Sequence, residues 1–184
     1  MATITFLCAS PQLRLLWLAT LWLGGLSQTL AAANSEPQLE AAYLINFMKY
    51  VEWPANDRNT ASICLFGRDT LGPILSSHEG QVIGGKELRI RRVSSPADMT
   101  GCQLVYIPDV EEARIGAVLR WTHGMPILTT SSADGFARAG GGIELLRNGR
   151  RMKFIVNADT LLRQGLTPSS QMMRLAVRVI GGER

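Results

Sequence analysis

The chain has 184 residues, 46% of them apolar, and carries 19 lysines and arginines against 15 acids, a formal net charge of +4. Outside two short clusters, Arg89, Arg91, Arg92 and Arg147, Arg150, Arg151, the bases are spread out. So small and dispersed an excess excludes a nucleic-acid-binding stripe. Two histidines, His78 and His123, lie in loop-like sequence with no ligand spacing around them, so neither a metal site nor a cofactor is implied.

Residues 1–33 contain no acid and a single base, Arg14, which precedes the apolar run Leu15-Leu16-Trp17-Leu18-Ala19-Thr20-Leu21-Trp22-Leu23. A run this short, followed by Ala31-Ala32-Ala33, predicts a cleaved secretory leader ending near Ala33 and an exported protein. The competing reading, an uncleaved anchor, meets the difficulty that the run falls short of the ~20 residues a bilayer needs. Residues 34–184 then form one domain with a single core. Cys8 leaves with the leader. Of the three cysteines, Cys64 and Cys102 remain. An even pair in an exported protein predicts a disulfide, with two buried free thiols as the alternative.

From Gln38 to Val51, Leu39, Tyr43, Phe47 and Tyr50/Val51 recur on one helical stripe widened by Leu44 and Met48, with Glu40, Asn46 and Lys49 opposite. Trp53-Pro54 stops that helix. Ser62 to Gly67 is a short apolar run of buried-strand type, and Asp69-Thr70 opens a short helix to about Ser77. Leu88 and Ile90 alternate with Arg89 and Arg91 in a second strand. Cys102 to Ile107 is a third, Glu111 to Trp121 is helical with acids in its first turn, and Pro126 to Thr130 is a fourth strand. Strands alternating with helices predict βαβ units and a mainly parallel sheet.

The stretch from Gly140 to Ile180 is the most legible. Asn148-Gly149 between two alternating runs predicts a β-hairpin with a two-residue type I′ turn. In that register Arg147 faces Arg150, Leu145 faces Met152, Glu144 faces Lys153 and Ile143 faces Phe154. Asn157 is a good N-cap for a helix over Ala158–Gln164, and Gly165 supplies its left-handed stop. A last helix starts at Thr167-Pro168 or Ser169/Ser170, with Met172, Leu175, Ala176 and Val179 at helical spacing.

Catalytic signals are weak. Gly67-Arg68-Asp69-Thr70-Leu71-Gly72 stands where α/β folds bind phosphate, yet it lacks both the dinucleotide fingerprint and the P-loop ending, and reads as a tight turn. There is no Gly-x-Ser-x-Gly elbow. The aspartates at 57, 69, 98, 109, 134 and 159 sit at turns and helix starts, and Gly140-Gly141-Gly142 reads as a flexible turn delivering the hairpin.

The segments Ala41-Ala42-Tyr43-Leu44-Ile45-Asn46-Phe47, Val51-Glu52-Trp53-Pro54, Ile63-Cys64-Leu65-Phe66-Gly67, Phe154-Ile155-Val156-Asn157-Ala158-Asp159, Arg163-Gln164-Gly165-Leu166 and Leu175-Ala176 together resemble the YfiR family of periplasmic regulators. The resemblance spans nearly all of residues 34–184. It implies a compact Rossmann-like α/β domain, with a mainly parallel sheet, a C-terminal hairpin and terminal helices, often dimeric. It also implies a non-enzymatic role: binding the periplasmic part of an inner-membrane diguanylate cyclase and holding it inactive until an OmpA-like outer-membrane lipoprotein draws the repressor away. Some YfiR-type members carry a second disulfide near the hairpin, where this chain has no cysteine. A small-ligand sensor of the same fold is the main rival, and would need a concave pocket with converging polar groups.

The terminal helices supply candidate partner residues, Leu161, Leu166, Pro168, Met172 and Met173. Adjacent methionines cannot both face one core, and thioethers adapt to varied partners. The alternative places one methionine against the sheet and the other against the first helix.

Overall fold

The computed structural model describes residues 35–149 and 151–182. The leader and its cleavage near Ala33 lie outside the described residues.

Helix α1 (Glu36–Tyr50) begins where Ser35 N–H donates to Gln38 Oε1 at 2.7 Å, with proline in the first turn. Strand β1 (Val51–Glu52) follows at once, then β2 (Thr60–Phe66), the short α2 (Gly72–Ser76), β3 (Val82–Ile83), β4 (Lys86–Val93) and β5 (Leu104–Ile107). Next come α3 (Glu112–Thr122), β6 (Leu128–Ser131), the hairpin β7 (Ile143–Asn148) and β8 (Arg151–Asn157), α4 (Ala158–Arg163), β9 (Thr167–Pro168), α5 (Ser170–Leu175) and β10 (Arg178–Ile180).

Eight strands form one sheet in the order β10-β8-β7-β6-β5-β2-β4-β3. Pairing is parallel from β4 through β2, β5 and β6 to β7, antiparallel at β7–β8 and β3–β4, and parallel again at β8–β10. The expected α/β class with a mainly parallel sheet is therefore observed. Both faces are covered, which is why β2 and β5 are apolar at successive positions rather than alternate ones. Ala61, Ile63, Leu65, Leu104 and Tyr106 pack with α1, α2 and the hairpin, whereas Cys64, Phe66, Val105 and Ile107 pack with α3 and Phe136. On the first face an edge-on aromatic trio, Tyr43, Phe47 and Phe154, joins α1 to β8, and Tyr43 Oη donates to Met152 O at 2.7 Å.

Four local expectations are corrected. The hairpin pairs Asn148 with Arg151, Leu145 with Phe154 and Ile143 with Val156, two residues away from the expected register. A type I′ turn over Asn148-Gly149 would give both residues positive φ, but among the described residues only glycines have it, Gly149 at +60°. Asn148 therefore stays in the strand and Gly149 opens the turn. A shift of two keeps every side chain on its face, so Leu145, Met152 and Phe154 still enter the core. Glu144 faces Ile155 rather than Lys153 and is buried. The stripe on α1 is centred on Ala41, Leu44 and Met48, so Glu40 turns inward and Tyr50 outward. Lastly, the final helix stops at Leu175, and Val179 lies in β10, where it pairs with Val156.

Gly142 is needed for approach rather than flexibility. A Cβ there would lie 2.9 Å from Thr129 O, and the glycine's N–H donates to Thr129 Oγ1 at 3.0 Å. The backbone entering β7 thus runs tight against β6.

Cys64 and Cys102 form a disulfide with Cα atoms 5.9 Å apart, across a sequence separation of 38. In the chain-entropy model a loop of this length is worth about 4 kcal/mol. Replacing both cysteines by alanine should therefore lower the melting temperature by on the order of 10 °C. Thermal scans by circular dichroism, with and without reductant, check this: reductant should shift the natural protein toward the variant and leave the variant itself unchanged.

Candidate functional site

In an open parallel sheet the place to look is the crevice where strand order reverses. Here β2 has β4 on one side and β5 on the other, so the crevice lies beyond the carboxyl ends of β2 and β5. Its phosphate position is already filled. Glu111 Oε1 accepts from the Arg68 N–H at 3.1 Å and its Oε2 from Arg114 at 3.3 Å. The Arg68 backbone bond, helped by Arg114, holds the Glu111 carboxyl below its usual range. An incoming phosphate would have to displace this carboxylate. The loop from Gly67 to Gly72 is thus the tight turn its sequence suggests.

Deeper in the same crevice lies Glu40, 7% exposed, which sequence periodicity places on the outer face of α1. Its Oε2 accepts from Tyr106 Oη at 3.0 Å, and that hydroxyl is 3.2 Å from Ser132 Oγ. Burial raises the Glu40 pKa above its ordinary 4.5, only partly offset by the Tyr106 bond. Burial and the neighbouring Glu40 likewise push the Tyr106 phenol up. No cation pairs with Glu40 among the described residues, although Arg147 pairs with Glu36 one turn earlier.

The second candidate surface is the margin formed by α4, α5 and β10. Asn157 caps α4, accepting from Thr160 N at 2.9 Å, and Ser169 caps α5, accepting from Met172 N at 3.2 Å. β9 pairs antiparallel with β1, matching Pro168 with Val51, so the terminal segment is tied to the end of α1. This arrangement divides the expected partner residues between core and surface. Leu161, Leu166 and Met172 are buried in the core beneath α1 and the hairpin, while Pro168 and Met173 are half-buried. The apolar side chains left in solvent are their neighbours: Leu162 at 59%, Leu175 at 64%, Val177 at 49% and Val179 at 38% exposure. Val177 and Val179 alternate with Arg178, a period-two signal that marks a strand and could have been read as one. Of the two methionines, Met172 is the core residue and Met173 packs at its edge.

Fold and topology define a mainly parallel, Rossmann-like α/β domain covered on both faces of its sheet. A family model described as YfiR/HmsC-like matches residues 37–177, and the chain belongs to that family. Its members are periplasmic, non-catalytic regulators of cyclic di-GMP signalling that act on a diguanylate cyclase. Among solved structures, the chain is similar to the ABC domain in complex with L-Trp from Streptococcus pneumonia, with a TM-score of 0.52 and 11% identity over 76% of this chain. The match spans 62% of that structure's length, and at this identity the likeness is one of fold. No helix among the described residues is long and apolar enough to cross a membrane.

The buried carboxyl gives a pH dependence whose sign is fixed. With its folded pKa raised, Glu40 favours the native state most fully below about 4.5, and this contribution is lost as pH rises through the folded value. Glu40→Gln keeps an acceptor for Tyr106 and removes the charge. It should therefore raise the melting temperature at pH 7 by a few degrees and leave it unchanged at pH 4, as measured by scanning calorimetry across that range.

Proposed function

We propose that this protein represses by occupancy. Exported by the leader over residues 1–33, it binds the periplasmic part of an inner-membrane diguanylate cyclase and holds the enzyme inactive, without chemistry of its own. An OmpA-like outer-membrane lipoprotein competes for the same surface and releases the cyclase. The repressor acts as a homodimer in this reading, as the family resemblance implies. Family membership supports the cyclase as target, and one structural observation supports the location of the contact: the exposed leucines and valines gathered on α4, α5 and β10.

Such a contact draws most of its energy from a few apolar anchors, each worth about 2 kcal/mol or more on truncation. Leu162→Asp and Val177→Asp place charges on side chains that are already in solvent, so both variants should fold, be exported and fail to repress. Leu166→Asp is the contrasting case. It puts a carboxylate into the core and should unfold the domain. Cellular cyclic di-GMP and surface attachment are the readouts, with export and folding checked by limited proteolysis of periplasmic extracts. Deleting the gene should raise the nucleotide, and deleting the cyclase as well should restore it. If the exposed-site variants fold and still repress, the contact lies elsewhere on the domain.

A rival reading as a small-ligand sensor finds no free anion position in the crevice at the sheet's carboxyl end, where Glu111 already sits.

A further inference from the structure

The two edges of the eight-stranded sheet are unlike each other. At one, β3 has only two residues, and Gly80 before it and Gly84 and Gly85 after it all take positive φ, so an incoming strand finds little straight chain to follow. The other edge is open. No strand lies beyond β10 among the described residues. The chain is extended from Ala176, at φ −64° and ψ 134°, through Ile180, and positive φ at Gly181 and Gly182 then turns it away.

The pairing with β8 fixes which groups face outward. β10 runs parallel to β8, and the Val177 N–H donates to Phe154 O at 3.0 Å. Successive residues of a strand point their backbone groups to opposite sides, so Val177 and Val179 bond toward β8, while the N–H and C=O of Arg178 and the N–H of Ile180 point to the open side. Side chains alternate too, between the faces of the sheet. Val177 and Val179 share one face, both exposed, and Arg178 stands on the other. Neither Arg178 nor Arg174, four residues earlier, makes an ion pair among the described residues. Asp159, at the far end of β10, already accepts from the Gly182 N–H at 3.2 Å.

We infer that β10 takes one further strand, supplied by the partner protein, in which apolar and acidic residues alternate. Apolar side chains of that strand lie beside Val177 and Val179, and an aspartate or glutamate opposite Arg178 forms a cross-strand charge pair. The outward backbone groups of Arg178 and Ile180 supply the attachment, as in other strand-addition contacts. Two unpaired arginines at this margin select an acidic strand over a basic one. The inference rests on the reading that the partner contact lies at the α4, α5 and β10 margin, and it names how that contact is made and by what kind of segment.

The probe is a capped pentapeptide alternating valine with glutamate, added to the purified protein while amide hydrogen exchange is followed by NMR. At saturation it should slow exchange of the Arg178 amide by about tenfold or more. A peptide with lysine in place of glutamate should bind about tenfold more weakly. Arg178→Pro removes the outward N–H and leaves the bonds of Val177 and Val179 to β8, a change that edge strands tolerate. It should keep its melting temperature and lose the peptide, whereas Arg178→Ala should bind it about threefold more weakly. No saturable binding up to about 5 mM, binding without protection of Arg178, equal binding of the lysine peptide, or full binding by the folded proline variant would each overturn the inference. Protection of Arg178 that grows with protein concentration alone would assign the edge to a second copy, and would overturn it as well. Cyclic di-GMP in cells separates this inference from the reading beneath it. If Leu162→Asp and Val177→Asp abolish repression and Arg178→Pro does not, the contact stands and strand addition falls. If the peptide binds as expected and none of the three variants changes the nucleotide, the edge takes an acidic strand and the repressor reading falls.

Discussion

A carboxylate and a carboxamide on adjacent strands, both shut off from water, hold together the part of the molecule where regular structure gives out. Glu144 on β7 accepts from the N–H groups of Gly135 and Ala137, each at 3.0 Å. Asn157 at the end of β8 donates through Nδ2 to Ala137 O at 2.7 Å, accepts from Thr160 N at 2.9 Å, and donates its own N–H to Gly142 O at 2.9 Å. The irregular stretch between β6 and β7 is thereby laced to the hairpin, and the same asparagine starts α4. Thr160 closes the circuit through Gly140 O at 3.1 Å. A buried charge is tolerable only when its lone pairs are used, and here two backbone donors use them. Removing either side chain would strand several buried groups at once, at about 1–3 kcal/mol for each group left unmet. The placement of α4, β9 and α5 all descends from this arrangement.

The network also shows why the sequence was legible in some places and opaque in others. Buried strands such as β2 and β5 announce themselves by short apolar runs, because both of their faces are covered. The hairpin turn announces itself by Asn-Gly, but the dipeptide allows two placements, and they differ in whether Asn148 must also take a positive φ, which it does not. Glu144 and Glu40 were opaque for one shared reason. A charged residue in an alternating or helical pattern is assigned to water, and the partners that let each enter the interior, two N–H groups nine and seven residues back and a tyrosine 66 residues on, are invisible to local periodicity. The strand β10 was hidden similarly. Its pairing with β8 is a tertiary fact, and over so few residues a helical spacing of apolar side chains fits equally well.

The candidate partner residues illustrate the difference between identifying an element and identifying its face. The terminal helices do carry surplus apolar surface, as the adjacent methionines suggest. On helices of barely two turns, though, a shift of one residue exchanges core for surface, so Leu161 is sealed and Leu162 is open. Under the proposed reading, repression by contact would use only the open set. Its fold supplies rigidity through the disulfide, the aromatic trio and the β1–β9 pairing, so little ordering of the surface is required when a partner arrives.

The β10 margin has a further consequence at the level of protein quantity. An edge strand with Val179 outward, preceded by the open Val177 and flanked by open leucines, offers unpaired backbone groups beside apolar side chains, the combination that templates unwanted association. While a partner covers it the hazard is masked. Under the proposed repression, copies made in excess of partner would keep it exposed, so the concentration of this protein would be constrained from above by self-association as well as from below by the need to restrain its target. On that reading, balanced synthesis of the two proteins would keep such a surface both adhesive and soluble without a more polar edge.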